Sequence, residues 1–416
     1  MNKKNIIFLT MSEVTDIEIS GIYTDLLRKF HNEGFEVYIV TPHERRKGNP
    51  TSLEGKDGVH ILGVKTLNLQ KSSIIEKGIG QVLVETQFKQ AIRKHLPDVK
   101  FDLILYSTPP ITLKGTIEYL KKKNPQAVSY LLLKDIFPQN AVDIGMMSKT
   151  GVKGLLYRFF RHKEKALYAI SDYIGCMSPA NVEYVLKHNT EIEGRRVEVA
   201  PNSIDLADAD IMLLDKKELR LKMMDERYYI RKKYNLPTNL PILIYGGNLG
   251  KPQGIDYLIK CLDANKARTD CCFVVVGSGT EFPTLSVWYD NNKEGSVKLL
   301  TALPKDDYDM LVRSCDVGLI FLDHRFTIPN FPSRLLSYLE YKMPVICATD
   351  VNTDMGRIAE ENGFGFWCES VKPKDFTALV EKMLISDRKQ MGEKGFEFLK
   401  KNYLVENTYK AIISHV

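Results

Sequence analysis

A chain of 416 residues, 44% hydrophobic and 26% charged, is too long for one ordinary core and has the balance of a globular protein, which points to two domains. No run of roughly 18 uncharged apolar residues occurs, and the opening MNKKNIIFLT enters a strand pattern directly. A spanning helix is therefore not expected, and the chain reads as cytoplasmic. The net charge of +6 is uneven: residues 1–200 hold 29 Lys+Arg against 22 Asp+Glu, and the remainder 29 against 30.

That basic first half suits an anionic partner, either phosphate groups or an anionic membrane surface, with solvated lysines as the plain alternative. Seven cysteines without a CxxC pair favour reduced, packed thiols over a structural zinc.

In chain order, NIIFLT, a helix near 22–34, FEVYIVTP, VHILGV, a helix near 74–96, DLILYST and VSYLLLKD alternate as strand, helix and strand, the rhythm of a parallel sheet. A basic amphipathic helix over 153–169 groups Leu155, Leu156, Phe159, Phe160, Leu167 and Tyr168 on one face; it suits an anionic bilayer or the outside of a sheet. Pro201, Asn202 and Ser203 break the pattern after a short strand, and a charged helical stretch from about Ala207 to Tyr234 follows. The alternation then restarts with PILIYGG, a helix from about 253, CCFVVVGSG, VKLLTAL, VGLIFLD, PVICATD and a helical close from about 373. The expected fold class is α/β, with two doubly wound Rossmann-like domains over 1–200 and 201–416, the last helix near 396–416 packing back on the first domain. Such domains face one another across a cleft, with ligands at the carboxyl ends of the strands.

The segment Tyr245-Gly246-Gly247-Asn248-Leu249-Gly250-Lys251-Pro252-Gln253-Gly254 links a strand to a helix. Its glycines permit close backbone approach, and unpaired amides at the helix start together with Lys251 offer positive potential to a diphosphate. An ordinary glycine turn is the plain alternative, and neither a Walker A loop nor GxGxxG fits. Gly277-Ser278-Gly279 repeats the feature after the next strand. Pro332 and Ser333 can start a helix, placing Arg334 in a first turn, where a cation opposes the helix dipole and so suggests an anionic ligand or a surface ion pair. In the first half, Asp135 follows an apolar strand and can orient a hydroxyl or stabilise positive charge on a sugar ring, or simply cap a turn. Ser107-Thr108-Pro109-Pro110 and Ser20-Gly21 end in comparable positions, as acceptor contacts or as turn chemistry. No HxxxH or HExxH spacing exists among the eight histidines, so no metal site is expected; His43 and His324 follow apparent strands.

These segments, with CMSPANVEYVLKHN and FPSRLLSYLEYKMPVI, resemble the retaining glycosyltransferases of the GT-B fold, family 4, in the bacterial capsule, O-antigen and exopolysaccharide branch. The resemblance spans nearly the whole chain. It implies a nucleotide-sugar donor, UDP- or GDP-linked, held by the second domain, an acceptor held by the first, and no metal or other cofactor. On this template Gly246, Gly247, Asn248 and Gly250 approach the donor phosphates, Gly277 and Ser278 line the nucleoside, and Leu303 and Pro304 meet the base. Pro332, Ser333 and Ser337 flank Arg334, which with Lys251 takes the diphosphate charge; with the acceptor on the first domain, Ser20, Gly21, Ser107, Thr108 and Pro109 are its candidate contacts from their strand-end positions, and Asp135 the candidate to position it. Two positions depart from the pattern. The family's glutamate pair is replaced by Pro329 and Ser337, and its phosphate-loop Arg and Lys by Asn248 and Gln253. The implied activity is sugar transfer; the basic first half and the 153–169 helix suggest a lipid-linked or oligosaccharide acceptor at the inner face of the cytoplasmic membrane, and no nucleic acid is expected. The alternatives are a GT-B UDP-sugar epimerase and a catalytically impaired sugar-nucleotide-binding subunit.

Overall fold

The structure, a computed structural model, describes residues 3–69, 74–206 and 216–416. It divides into two units, Met1–Asp205 with Leu404–Val416, and Leu206–Tyr403.

The first unit runs β1 (Asn5–Leu9), α1 (Thr24–Asn32), β2 (Glu36–Glu44), β3 (Ser52–Lys56), β4 (Val59–Thr66), α2 (Ile74–His95), β5 (Leu103–Ser107), α3 (Lys114–Lys123) and β6 (Val128–Leu133). It continues through α4 (Gln139–Asp143), α5 (Gly151–Ile170), β7 (Tyr173–Cys176), α6 (Pro179–His188) and β8 (Val197–Val199). The sheet order is β3-β4-β2-β1-β5-β6-β7-β8. Strands β1, β5 and β6 are buried almost throughout, as near-continuous apolar runs in a parallel sheet must be.

One strand departs from the all-parallel expectation: β3 pairs antiparallel with β4. Asp57 and Gly58, both at positive φ (50° and 84°), make the turn between them. Asp-Gly is the strongest short hairpin signal a sequence carries, and here it marked the strand.

The second unit runs α7 (Lys216–Lys233), β9 (Ile242–Asn248), α8 (Ile255–Asn265), β10 (Cys272–Ser278), α9 (Phe282–Asp290), β11 (Val297–Thr301), α10 (Lys305–Ser314) and β12 (Val317–Phe321). Then come α11 (Arg334–Glu340), β13 (Val345–Thr349), α12 (Met355–Glu361), β14 (Gly365–Glu369), α13 (Pro373–Ile385) and α14 (Arg388–Asn402). Its six strands are all parallel, in the order β11-β10-β9-β12-β13-β14, winding outward from β9 in both directions. The order therefore reverses between β9 and β12, the position where open parallel sheets leave a crevice at their carboxyl ends.

Of the charged stretch expected over 207–234, residues 207–215 lie outside the described residues, and the rest forms α7. Arg231 fastens it: the side chain is fully buried and donates to the carbonyls of Ser314, Pro237 and Leu240 and to Asp316. Five donors in a rigid fork satisfy these groups where a lysine could not.

The last helix, α15 (Val405–Ile413), packs on α1 through Tyr409 against Phe30 (ring centroids 4.8 Å apart) and Lys29 against Glu406 (2.7 Å). The Val405 N–H donates to the Ile204 carbonyl. The returning segment is thus shorter than 396–416, and the unit boundary falls at Asp205 rather than at 200.

The face expected for α5 is also corrected. Phe160, Leu167 and Tyr168 are buried, whereas Leu155, Leu156 and Phe159 are exposed. At 3.6 residues per turn these are two separate stripes. All seven cysteines are free and buried, and burial pushes the Cys176 thiol up to about 12.

Candidate functional site

At the β9/β12 reversal the two strands pair only through Val317 with Leu243 and Gly318 with Ile244, then part. Tyr338, from α11, fills the opening. Its hydroxyl lies 3.1 Å from the Ile244 carbonyl and 3.3 Å from the Leu319 carbonyl, and accepts from the Gly246 N–H at 3.3 Å. Gly318 has no side chain because the Tyr338 ring occupies the space: a Cβ there would meet it at 2.3 Å. Gly246 likewise leaves room for the Tyr308 hydroxyl, 2.2 Å from its missing Cβ. Gly246 is therefore buried under tyrosines rather than presented to a ligand. Gly247 alone of the pair is exposed, with φ 119°. Neighbouring Gly277 meets it at the same level of the sheet, where a Cβ would stand 1.8 Å from the Gly247 carbonyl oxygen.

Beside Gly247 lies Arg334, the first residue of α11. Its guanidinium carbon sits 4.2 Å from the Tyr245 ring centroid, and Nη2 is 3.5 Å from the position a Gly247 Cβ would take. Nη1 is sealed from solvent and has no hydrogen-bond partner. Burial opposes its charge and the surrounding Tyr245, Tyr338 and Tyr308 act the other way; a guanidinium so placed stays cationic. Among the described residues no carboxylate pairs with Arg334. A cation held over an aromatic face with one donor unsatisfied is an arrangement that an anion completes.

The turn after β9 differs from its expected role. Leu249 N–H donates to the Ser278 carbonyl and Gly250 N–H to Gln253 Oε1 (3.1 Å), which also accepts from Asn248 Nδ2 (2.8 Å). Gln253 N–H and Gly254 N–H close on the carbonyls of Gly250 and Lys251. These amides are already engaged, so Gly250 is not an open donor, and Asp256 in the first turn of α8 opposes an anion there. Lys251 is exposed and makes no ion pair among the described residues.

Ser278 is exposed at the end of β10; Leu303 is half-buried and Pro304, the N-cap of α10, exposed. Pro332 and Ser337 are half-buried and Ser333 exposed, while Pro329, at the first glutamate position, is buried. The loop carrying Pro329 and Asn330 is pinned by Asn352 Nδ2 to the Phe326 carbonyl (2.6 Å) and Thr353 Oγ1 to the Asn330 carbonyl (2.6 Å). His324 is exposed beside Asp323, and His43 bonds the Pro50 carbonyl.

In the first unit Ser107, Thr108, Pro109 and Asp135 lie at the carboxyl ends of β5 and β6, and Ser20 and Gly21 precede α1. Thr108 Oγ1 accepts from the N–H groups of Lys134 (3.0 Å) and Asp135 (3.3 Å), tying the two strand ends together. Asn140 Nδ2 donates to Asp135 Oδ1 at 2.7 Å and sets the carboxylate's orientation. Ser107 is buried and bonds the Tyr23 hydroxyl, while Pro109 is exposed. Ser20 is exposed, and Gly21 is held by its N–H to Asp25 Oδ1 (3.0 Å). Lys134, which sequence reasoning passed over, reaches the Ala200 carbonyl at 3.1 Å, and desolvation pulls its ammonium down to about 7. A lysine between an apolar strand and a buried loop was the available signal. Nothing in the sequence marked Tyr308 or Tyr338.

Residues 226–398 match the family described as "Glycosyl transferases group 1". The chain is 20% identical over 338 residues to "Probable glycosyltransferase WbjE" of Pseudomonas aeruginosa, covering 80% of this chain and 78% of that one. Among solved structures, Anabaena Alr3699/HepE in complex with UDP-glucose superposes with a TM-score of 0.66 at 12% identity, over 99% of this chain and 98% of that one. WaaG, a glycosyltransferase involved in lipopolysaccharide biosynthesis, gives 0.64 at 13% identity, over 98% of each chain. The chain has the GT-B fold, and residues 226–398 of its second unit match the glycosyl transferases group 1 family.

Proposed function

We propose that the protein is a retaining hexosyltransferase that moves a sugar from a UDP- or GDP-sugar to a lipid-linked saccharide in bacterial surface-polysaccharide synthesis, at the cytoplasmic membrane. The observation that carries this reading is Arg334, whose Nη2 faces exposed Gly247 and whose buried Nη1 has no hydrogen-bond partner, where the strand order reverses. The match to the group 1 family, the UDP-glucose complex of HepE and the part WaaG takes in lipopolysaccharide biosynthesis support the donor and pathway classes. Among the described residues no helix is long and apolar enough to cross a membrane.

In this mechanism the departing diphosphate gathers charge against Arg334 and Lys251, and its oxygen takes the proton of the acceptor hydroxyl entering on the same face. Asp135, oriented by Asn140, positions the acceptor or the sugar ring. Preorganised cations stabilise charge as it develops, so no protein nucleophile is required. The test measures nucleotide release and the anomeric configuration of the product by NMR, at saturating donor, for the native chain and Arg334→Met. A retained anomer and a kcat loss of about 100-fold or more are expected; inversion, or undiminished kcat in the variant, would falsify the assignment.

One observation favours a second reading. Where the family has two cations, Asn248 and Gln253 form a neutral amide pair, which weakens the phosphate clamp and fits a sugar-nucleotide-binding subunit. Turnover by the purified chain excludes it, and incubation with donor alone distinguishes an epimerase.

A further inference from the structure

The turn before α5 and its first two turns present an apolar ridge to solvent. Val152 is 85% exposed, Leu155 64%, Leu156 49% and Phe159 41%, with Met146 at 58% in the preceding turn. The spacing 152, 155, 156, 159 places the four helical side chains on one stripe.

The opposite stripe anchors the helix and prevents it from rolling inward. Phe160 packs edge-on against Phe137 (5.1 Å), Tyr168 donates to Glu164 (2.8 Å), and Arg161 reaches Glu164, the His188 carbonyl (2.8 Å) and Asn189 (2.7 Å). Gly154 sits so close to the turn that a Cβ would meet the Lys149 carbonyl at 2.5 Å, which holds the turn against the helix start.

The charge around the ridge has one sign. Residues 144–163 contain Lys149, Lys153, Arg158, Arg161 and Lys163 and no Asp or Glu. Lys163 Nζ lies 5.7 Å from the Phe159 ring centroid, so a cation accompanies an exposed aromatic. In α7, by contrast, exposed Met223, Met224, Tyr228 and Tyr229 are interrupted by Asp225 and Glu226.

We propose that this ridge docks on an anionic phospholipid bilayer, with Val152, Leu155, Leu156 and Phe159 entering the headgroup boundary and Lys149, Lys153, Arg158 and Lys163 on the lipid phosphates. A helical ridge flanked by Lys149, Lys153, Arg158 and Lys163, with the nearest acid on its helix, Glu164, buried and paired to Arg161, fits a fluid anionic surface, which needs no shaped complement. The inference deepens the proposed function by naming the face that meets the membrane, and it rests on that reading only for the lipid-linked acceptor.

The test is co-sedimentation of the full chain with vesicles of phosphatidylcholine alone and of an equal mixture of phosphatidylcholine and phosphatidylglycerol. Binding to the mixed vesicles only is expected. Lys153→Glu with Arg158→Glu should lose about 25-fold or more in partition, since each cation near such a surface is worth about fivefold. Leu155→Ser with Phe159→Ser should lose about tenfold or more. Equal partition onto both vesicle types, or native partition by either variant, overturns the proposal. So does a native dimer that the serine variant converts to monomer, because the ridge then belongs to a second copy. Thermal shift with a panel of UDP- and GDP-sugars on the same variants separates the two readings: donor binding without vesicle binding removes only the membrane face, and vesicle binding with no shift from any member of the panel removes only the sugar-transfer assignment.

Discussion

Arg334→Met should act in opposite directions on stability and on donor affinity. In the free protein the substitution removes a buried donor without a partner, a defect worth about 1–3 kcal/mol, and gives up a cation–π contact with Tyr245 of about 0.5–2 kcal/mol. Methionine fills much of the same volume. The net is a gain of about 1 kcal/mol in the second unit, or roughly 2–4 °C in Tm for a unit of this size. With donor present the sign reverses: one charge-assisted bond to a diphosphate is worth about 1.5–3 kcal/mol, so Kd should rise about 10- to 150-fold. Scanning calorimetry without ligand and isothermal titration with UDP-sugars read the two effects separately. A variant that melts below the native chain, or that binds donor as tightly, refutes the argument that Nη1 awaits an anion.

Gly247→Ala should cost about 1–3 kcal/mol and weaken donor binding, because φ of 119° is accessible to glycine while the added Cβ makes only ordinary contact with Arg334; urea unfolding measures the cost, and an unchanged midpoint contradicts it. Gln253→Lys releases the Gly250 N–H and adds a cation, so donor affinity should improve about tenfold; no change by titration would place the phosphate away from this turn. Lys134 has a folded pKa near 7 against an ordinary 10.5, so between those values the unfolded chain binds the extra proton. Its contribution is fully present above 10.5 and is lost as pH falls towards 7. Lys134→Met should therefore melt above the native chain near pH 7, with the gap closing towards pH 10; a gap constant with pH defeats the reasoning.

Much of the fold was readable because parallel strands buried on both faces must be apolar runs, and NIIFLT, DLILYST, PILIYGG and CCFVVVGSG each became a central strand. Strand β3 is polar and exposed, so it carried no such signal apart from its Asp-Gly turn. The partition of α5 into a buried and an exposed stripe was not readable, since both stripes are apolar and only the neighbours decide which is covered.

For the site, local chemistry singled out Gly247, Arg334, Asp135 and Thr108, because glycine after a strand, a cation at a helix start and polar groups at strand ends are local departures from a buried pattern. What no local pattern contains is the set of long-range choices: Tyr308 in the space left by Gly246, Tyr338 in that left by Gly318, and the Gln253 amide on Gly250 rather than a ligand. By itself the amino-acid order determined the strand and helix alternation and the strand-end positions of these groups, since periodicity and turn chemistry act over a few residues. Tertiary packing alone decided that Gly246 is covered while Gly247 is open, and that Arg334 retains an unmet hydrogen-bond donor, because burial and pairing depend on residues up to 92 positions away along the chain.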